Sequence, residues 1–147
     1  MELIKEISAS ATYAVRHPVL RPGKPIDSCH FEGDDLQSTH HFGLFTAGTL
    51  AGVVSIFEAL NALFETPNQL QLRGMAVLPS FQNKGFGHKL VDKCEEFIAG
   101  KGGALLWFNA RILAVPFYRK LGYEIIGAEF EIAGVGPHYV MYKTITS

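Results

Sequence analysis

The chain has 147 residues, which fits one domain of ordinary size that buries roughly two-thirds of its unfolded surface in a single core. Hydrophobic residues make up 48% of it and charged residues 18%, a balance that excludes a disordered chain. Thirteen basic against fourteen acidic side chains give a formal charge of −1, so neither nucleic acid nor a membrane surface is an expected partner. We therefore expect one folded domain over residues 1–147.

The first predicted elements are a strand and a short helix. Residues 2–7 alternate between apolar and polar side chains well enough for a strand. Residues 11–15 indicate a helix, which Ser8 or Ser10 would cap and which Pro18 and the proline-containing cluster at residues 21–25 would stop.

The next part of the chain predicts a loop, a hairpin and a long strand. Residues 26–39 are polar and irregular, which is typical of a solvated loop, and such loops often carry substrate contacts. Apolar runs at 42–46 and 50–57 flank a break at 47–49 and predict a hairpin. Residues 69–78 alternate at first and then become fully apolar, as expected of a long strand that ends before Pro79.

The second half of the chain begins with a helix that follows a glycine-containing turn. Its apolar face is formed by Leu90, Val91, Cys94, Phe97 and Ile98, and glycines at 100–103 end it. Residues 104–108 indicate a buried parallel strand, and 113–121 a short helix. Two closing strands are predicted at 123–132 and 138–145.

The turn at residues 82–87 joins the end of a strand to the start of a helix. Amides at a helix N-terminus have no partner within the helix, the helix dipole adds positive potential, and glycines let a ligand approach closely. The segment fails the dinucleotide pattern, because Leu90 stands at the third glycine position, and it lacks the Gly-Lys-Ser/Thr of a phosphate loop. A diphosphate of another kind fits this turn, although the glycines could also serve only to make a tight connection.

The same turn resembles the pyrophosphate signature of the GNAT superfamily of N-acetyltransferases, Gln/Arg-x-x-Gly-x-Gly/Ala, at Gln82, Gly85 and Gly87. A second block, residues 109–123, resembles the superfamily's later Asn…Ala…Phe-Tyr-x-x-x-Gly-Phe/Tyr segment. Residues 129–141 resemble the closing segment of a subgroup of small bacterial acetyltransferases. The resemblance covers about residues 69–145, while the first third of the chain, which should determine the acceptor, fits less specifically.

The resemblance implies a fold and an activity. The fold is an α/β architecture with a mixed, mostly antiparallel seven-stranded sheet, whose parallel fourth and fifth strands splay apart, and with helices on both faces. The activity is transfer of an acetyl group from acetyl-CoA to a primary amine by direct attack. A non-catalytic acyl-CoA-binding regulatory module is the alternative, and a domain for another diphosphate is a third hypothesis.

The resemblance also implies the residues of the site. Those expected to hold acetyl-CoA are Met75, Ala76, Val77, Gln82, Asn83, Lys84, Gly85, Phe86, Gly87, His88 and Asn109. Tyr118 matches the tyrosine that protonates the departing sulfur, and a phenol with a pKa near 10 suits a thiolate of similar basicity. The Val77 N–H is the candidate to polarise the thioester carbonyl. Each of these side chains could instead serve only packing or capping.

The general base and the acceptor stay open. Four titratable side chains could face the acceptor, namely Glu58, Glu129, Glu131 and His138, and a water relay is a further route. Arg16 and Arg21 could bind a carboxylate of the acceptor, because guanidinium groups bind carboxylates bidentately. We favour a small-molecule amine over a protein as the acceptor, and a homodimer through an exposed strand edge is a further expectation.

The remaining expectations concern metals and the compartment. Cys29, His30, Asp34, Asp35, His40 and His41 fit no compact zinc pattern, so no metal is expected. Two widely separated cysteines suit free thiols in a reducing cytoplasm, and no run of about 18 apolar residues suggests a membrane span. A cytoplasmic protein is predicted.

Overall fold

The computed structural model describes all 147 residues and contains seven strands and three α-helices. The strands are β1 (Glu2–Ile7), β2 (His40–Thr46), β3 (Thr49–Glu58), β4 (Gln69–Val77), β5 (Gly103–Arg111), β6 (Glu124–Ile132) and β7 (Gly136–Thr146). The helices are α1 (Tyr13–Leu20), α2 (Phe86–Gly100) and α3 (Val115–Lys120). Each predicted strand is present within a few residues of its predicted position, so the alternation patterns were sufficient to find the sheet.

The seven strands form one sheet in the order β1-β2-β3-β4-β5-β7-β6. β1 with β2, β2 with β3, β5 with β7 and β6 with β7 pair antiparallel. β4 and β5 pair in parallel, with Gln69 opposite Leu105 and Gln71 opposite Trp107, so this ladder covers only the first three residues of β4. The predicted fold class, a mixed and mostly antiparallel seven-stranded sheet with a parallel fourth and fifth strand, is confirmed.

The chain forms two compact units, each discontinuous in sequence. The first unit comprises residues 1–58 and 72–97, and the second comprises residues 59–71 and 98–147. In the first unit Val15, Val53 and Ala76 form a buried apolar cluster, so α1, β3 and β4 share a core. In the second unit the buried cluster consists of Leu105, Trp107 and Val140.

The start of β4 is held by side-chain hydrogen bonds within the second unit. The Gln69 amide oxygen accepts from Asn61 N–H at 2.7 Å, and its Nε2 donates to Thr66 O at 2.8 Å. Trp107 Nε1 donates to Ala59 O at 3.0 Å from the neighbouring strand. The 59–68 connection is therefore fixed at both ends, which sets where β4 begins.

The predicted end of α1 is correct at the 21–25 cluster and wrong at Pro18. Ser8 Oγ accepts from the Ala11 N–H at 3.2 Å, but Ala11 lies in a 3-10 turn at Ser10–Thr12 that precedes α1. The N-cap of α1 is Thr12, which makes no side-chain cap hydrogen bond, and the helix runs past Pro18 to Leu20. Pro18 has no N–H, so one carbonyl in the preceding turn of the helix lacks its usual donor. Because Pro18 is exposed, water can hydrate that carbonyl. The helix ends where the Arg21 N–H donates to the carbonyls of Arg16 and His17, at 3.2 and 3.1 Å.

Candidate functional site: an amide-lined turn and a basic aromatic cluster

The turn between β4 and α2 is anchored at both ends. Leu78 N–H, one residue past β4, donates to Ala51 O of β3 at 2.9 Å. A 3-10 turn at Pro79–Phe81 follows, and the Phe81 ring stacks on buried Phe86, with ring centroids 6.4 Å apart. The backbone between these two rings is therefore held in place by packing on either side.

The backbone of this turn exposes a run of free amides. Asn83 and Gly85 both have positive φ, at 64° and 80°, and Gly85 has open space where a side chain would stand. The first helical hydrogen bond runs from Lys89 N–H to Gly85 O at 3.2 Å, and the amides of residues 83–88 donate to no acceptor of the protein. Successive free N–H groups at a helix start form a concave anion site, which the helix dipole strengthens.

The side chains of the turn frame this run of amides. Gln82 Nε2 donates to Val77 O at 2.9 Å, so the first signature residue ties the turn back to the end of β4. Lys84 is exposed, and the half-exposed His88 ring lies 3.3 Å from Asp92 one helical turn later. The structure thus brings together every predicted cofactor residue of the first unit.

The three predicted site residues at the end of β4 differ in burial. Ala76 is 5% exposed in the first unit's apolar cluster, and Met75 and Val77 are half-buried. Gly52 of β3 lies against this strand, because a Cβ at that position would stand 3.2 Å from Ala76 O. Ala76 is therefore limited to backbone contact with a ligand, whereas the side chains of Met75 and Val77 are only partly buried.

Two predicted site residues lie in the second unit. Tyr118 on α3 is 8% exposed, and its ring lies 4.2 Å from that of Phe108 and 6.2 Å from that of Tyr123, measured between centroids. Asn109 is exposed on β5, opposite Val140 of β7. Aromatic packing fixes the Tyr118 ring, whereas Asn109 presents its amide to solvent.

The four candidate bases differ in their surroundings. Glu58, Glu129 and Glu131 are exposed. His138 is buried against Phe130, and its Nδ1 lies 2.8 Å from Gly136 O. Because a carbonyl only accepts, Nδ1 carries the proton and Nε2 holds the lone pair in the neutral ring. His138 is the candidate whose tautomer the structure fixes.

The predicted solvated loop at 26–39 is wrong in its central part. Arg16, fully buried on α1, donates to Asp34 from both Nη1 and Nη2, at 2.6 and 3.1 Å, and also to Cys29 O at 2.8 Å. Asp34 accepts the Phe31 N–H at 2.9 Å as well. Cys29, Phe31 and Asp34 are consequently buried. Arg16 is committed to Asp34, and the expectation that it binds an acceptor carboxylate is also wrong.

Two further side chains complete this buried network. Arg16 Nη2 donates to Ser55 Oγ at 3.1 Å, and Ser55 Oγ lies 2.6 Å from His41 Nδ1. His41 Nε2 lies 2.9 Å from Asp34 O. Burial alone would raise the pKa of Asp34, but the hydrogen bonds from Arg16 and from the Phe31 N–H outweigh it and hold the pKa below its ordinary value.

A basic cluster around Phe31 was missed by sequence reasoning. Guanidinium carbons lie 3.9 Å (Arg16), 5.0 Å (Arg73) and 5.4 Å (Arg21) from the Phe31 ring centroid. Burial lowers the pKa of Arg73, the nearby charge of Arg16 lowers it further, and Asp34 acts against both. The available signal was the Arg73-Gly74 pair inside a strand, where an interior glycine often marks a bulge.

The fold and the turn together define a class of protein. A mixed sheet in which β4 leads through a run of free amides into α2 is the architecture expected of an acyl-CoA-dependent acyltransferase. Residues 5–123 match the acetyltransferase (GNAT) family model. The chain is 36% identical over 142 residues to the uncharacterized N-acetyltransferase YitI of Bacillus subtilis (strain 168), an alignment covering 97% of this chain and 95% of that protein. The chain belongs to the GNAT family and is an acetyltransferase.

Solved structures agree on the fold. The ribosomal-protein-S18-alanine N-acetyltransferase from Escherichia coli has a TM-score of 0.78 at 18% identity, covering 100% of this chain and 96% of that one. An aminoglycoside 6'-N-acetyltransferase in complex with coenzyme A also has a TM-score of 0.78, at 17% identity, covering 99% of this chain and 98% of that one. None of the protein's helices is both long and apolar enough to cross a membrane.

Proposed function

We propose that this protein transfers an acetyl group from acetyl-CoA to a primary amine of an acceptor, by direct attack of the amine on the thioester, and that residues 1–147 act as one acyltransferase domain. The observation that carries the proposal is the run of unpartnered amides at residues 83–88 on the start of α2. A diphosphate satisfies such amides and gains from the helix dipole. The coenzyme A complex of a structural relative supports the same donor.

The donor would be held by backbone at the end of β4 and in the turn. We assign this role to Met75, Ala76, Val77, Gln82, Asn83, Lys84, Gly85, Phe86, Gly87 and His88, with Asn109 as a further contact. The hydrogen bond from Gln82 to Val77 O supports the assignment, because it fixes the turn relative to the strand. Preorganised donors of this kind lose little entropy when the diphosphate binds.

The chemistry needs three functions besides binding. The Val77 N–H would stabilise the oxyanion that forms as the amine nitrogen bonds to the acetyl carbon, a contribution that is often several kcal/mol. A base takes the ammonium proton, and Tyr118 protonates the sulfur as the carbon–sulfur bond breaks. His138 is the best-supported base, because the Gly136 carbonyl leaves its Nε2 as the free acceptor. The other candidates for the general base are Glu58, Glu129, Glu131 and a water relay.

The acceptor is proposed to be a small-molecule amine. One structural relative is named for an alanine of a ribosomal protein and another for an aminoglycoside, so this fold serves acceptors of very different size. We also propose a cytoplasmic location, which two free cysteines, Cys29 and Cys94, support.

Isothermal titration with acetyl-CoA tests the proposal, using Gly85→Glu as the disrupting variant. The new carboxylate would obstruct and repel the diphosphate, so binding should be lost. Gly48→Glu is the matched control, because Gly48 has the same φ of 80° and equally open surroundings, in the β2–β3 turn. Both variants carry the same backbone strain and the same added charge.

The two outcomes have opposite meanings. Binding that Gly85→Glu abolishes and Gly48→Glu retains would support the site and justify screening amines for release of coenzyme A. A wild-type protein that fails to bind acetyl-CoA would overturn the proposal and favour another diphosphate ligand.

A further inference from the structure

Two guanidinium groups beside Phe31 make no ion pair, whereas the third one does. The charge of Arg16 is matched by Asp34 at 2.6 Å. The Arg73 side chain makes no hydrogen bond and no ion pair, although it is half-buried between the rings of Phe31 and Phe57, 5.0 and 5.1 Å from their centroids. The Arg21 side chain donates only to Leu20 O, at 3.1 Å. Most of the donors of these two side chains are therefore free.

This arrangement is costly unless an anion completes it. A half-buried guanidinium has lost part of its hydration, and aromatic faces replace only some of that stabilisation. The charges of Asp34 and exposed Glu32 act favourably on Arg73, but neither carboxylate forms an ion pair with Arg73 or Arg21. The Phe31 ring itself is 7% exposed and lies in a segment that the Arg16–Asp34 pair holds in place, so the cluster is built on a fixed support.

We propose that Arg21 and Arg73 bind a carboxylate of the acceptor, so that the substrate is a small amine carrying a carboxylate at some distance from the reacting nitrogen. This inference rests on the proposed function, because it assigns the acceptor of the same site. The guanidinium fork matches a carboxylate bidentately, and its charge-assisted hydrogen bonds strengthen in a partly desolvated site.

The position of Arg73 on β4 gives the approximate separation of the two groups. Val77, whose N–H would hold the thioester carbonyl, is four residues further along the same strand, or about 13 Å at the usual rise of a strand. The positive φ of Gly74, 65°, and the length of the arginine side chain shorten the distance that the substrate must span. An α-amino acid reacting at its α-amine is too short, and a chain of several carbons between amine and carboxylate fits.

The test compares 6-aminohexanoate with 6-aminohexanamide, which differ only in the carboxylate charge. Binding to the protein with coenzyme A present is measured by titration calorimetry, and kcat/KM by release of the coenzyme A thiol. We expect the acid to be preferred by about tenfold or more, the effect of one or two charge-assisted hydrogen bonds. Glycine and glycinamide form the short pair, which should show no such preference.

Variants assign the preference to the two arginines. Arg73→Met keeps the length and apolar stem of the side chain and should abolish the acid preference, and Arg73→Lys should restore part of it. Arg21→Gln, at the end of α1, tests the site independently of any folding defect at position 73. Lys24→Gln is the control, because it removes one exposed positive charge from the same segment and lies outside the proposed site.

The outcomes separate this inference from the proposed function. Equal binding of acid and amide, or a preference that survives both Arg73→Met and Arg21→Gln, would overturn the carboxylate site while leaving acetyl transfer intact. If acetyl-CoA does not bind, the proposed function fails, and direct titration of the acid and the amide still decides whether the anion site exists.

Discussion

Asp34 receives both terminal nitrogens of Arg16, Nη1 at 2.6 Å and Nη2 at 3.1 Å, and neither side chain reaches solvent. The pair joins α1 to the 26–39 segment across 18 residues of sequence. Because a charge left unpaired in such a place is far more costly than the pair is stabilising, the segment is fixed to the helix and cannot open freely. Phe31 and the basic cluster depend on this attachment.

Asp34→Asn should destabilise the protein strongly. Removing one partner leaves a buried guanidinium without its countercharge, and we expect a loss of about 3–5 kcal/mol in the free energy of unfolding. Asp35→Asn is the matched control: its carboxylate is 77% exposed and lies 2.9 Å from a half-exposed His30, a contact whose loss should cost at most about 1 kcal/mol. Urea unfolding followed by circular dichroism measures both, and equal losses would contradict a structural role for the buried pair.

Acid should unfold the wild type in a way that depends on the same carboxylate. The folded protein holds the pKa of Asp34 below its ordinary value, so at low pH the unfolded chain binds the proton more readily than the folded one. This contribution to stability is complete above the unfolded pKa of about 3.9 and is lost as pH falls through the lower folded value. Plotting the free energy of unfolding against pH below 5 should give a steeper fall for wild type than for Asp34→Asn. Parallel curves would show that other carboxylates, such as Glu2 paired with Lys89, account for the acid sensitivity.

Gly74→Ala should disturb the basic cluster from the strand side. A Cβ there would lie 3.0 Å from Phe31 Cε2 and 3.3 Å from Arg16 Nε, on backbone with φ of 65°. Gly48→Ala carries a similar φ, 80°, in open space, and should cost only the strain of about 1–2 kcal/mol. We expect Gly74→Ala to cost a further 1 to 3 kcal/mol, roughly the range for overpacking, and thermal unfolding of the two variants measures the difference. Equal losses of stability in the two variants would mean that the Phe31 ring can move away from the new methyl group at no cost in free energy.

The strands could be predicted because their signal is local. Alternation and short apolar runs bounded by turn residues placed all seven, and the turn at 82–87 was identified because backbone conformation, glycine spacing and helix start coincide within a few residues. The positive φ of Gly85 is the physical reason for one fixed glycine of that signature.

The buried polar network could not be predicted, because its signal is not local. Arg16 finds Asp34 and Ser55 at separations of 18 and 39 residues, and a polar segment with four acidic and three hydroxyl side chains looks the same whether water or protein satisfies it. The basic cluster was missed for the same reason. Arg73 and Phe31 come from different segments of the chain, and the basic cluster exists only because the fold brings these two side chains together.

Tyr118→Phe should slow acetyl transfer without weakening the binding of acetyl-CoA. The variant keeps the aromatic ring packed 4.2 Å from that of Phe108, so folding and acetyl-CoA affinity should be unchanged. Loss of the phenolic proton should lower kcat by about 10²-fold or more, the usual effect of removing a general acid. Tyr142→Phe is the control, because it deletes a hydroxyl that donates to exposed Glu124 at 3.3 Å. Calorimetry for affinity and thiol release for turnover separate the two effects.

Each result of that comparison discriminates between hypotheses. Full turnover by Tyr118→Phe would refute the acid role and require that water or the departing amine proton reach the sulfur instead. A wild-type protein that binds acetyl-CoA tightly but releases no thiol with any amine, including 6-aminohexanoate, would favour the non-catalytic acyl-CoA-binding module, since the diphosphate turn and the aromatic packing of Tyr118 serve binding equally well. A selective loss of kcat in Tyr118→Phe, with Tyr142→Phe unaffected, is the result that only a catalytic phenol explains.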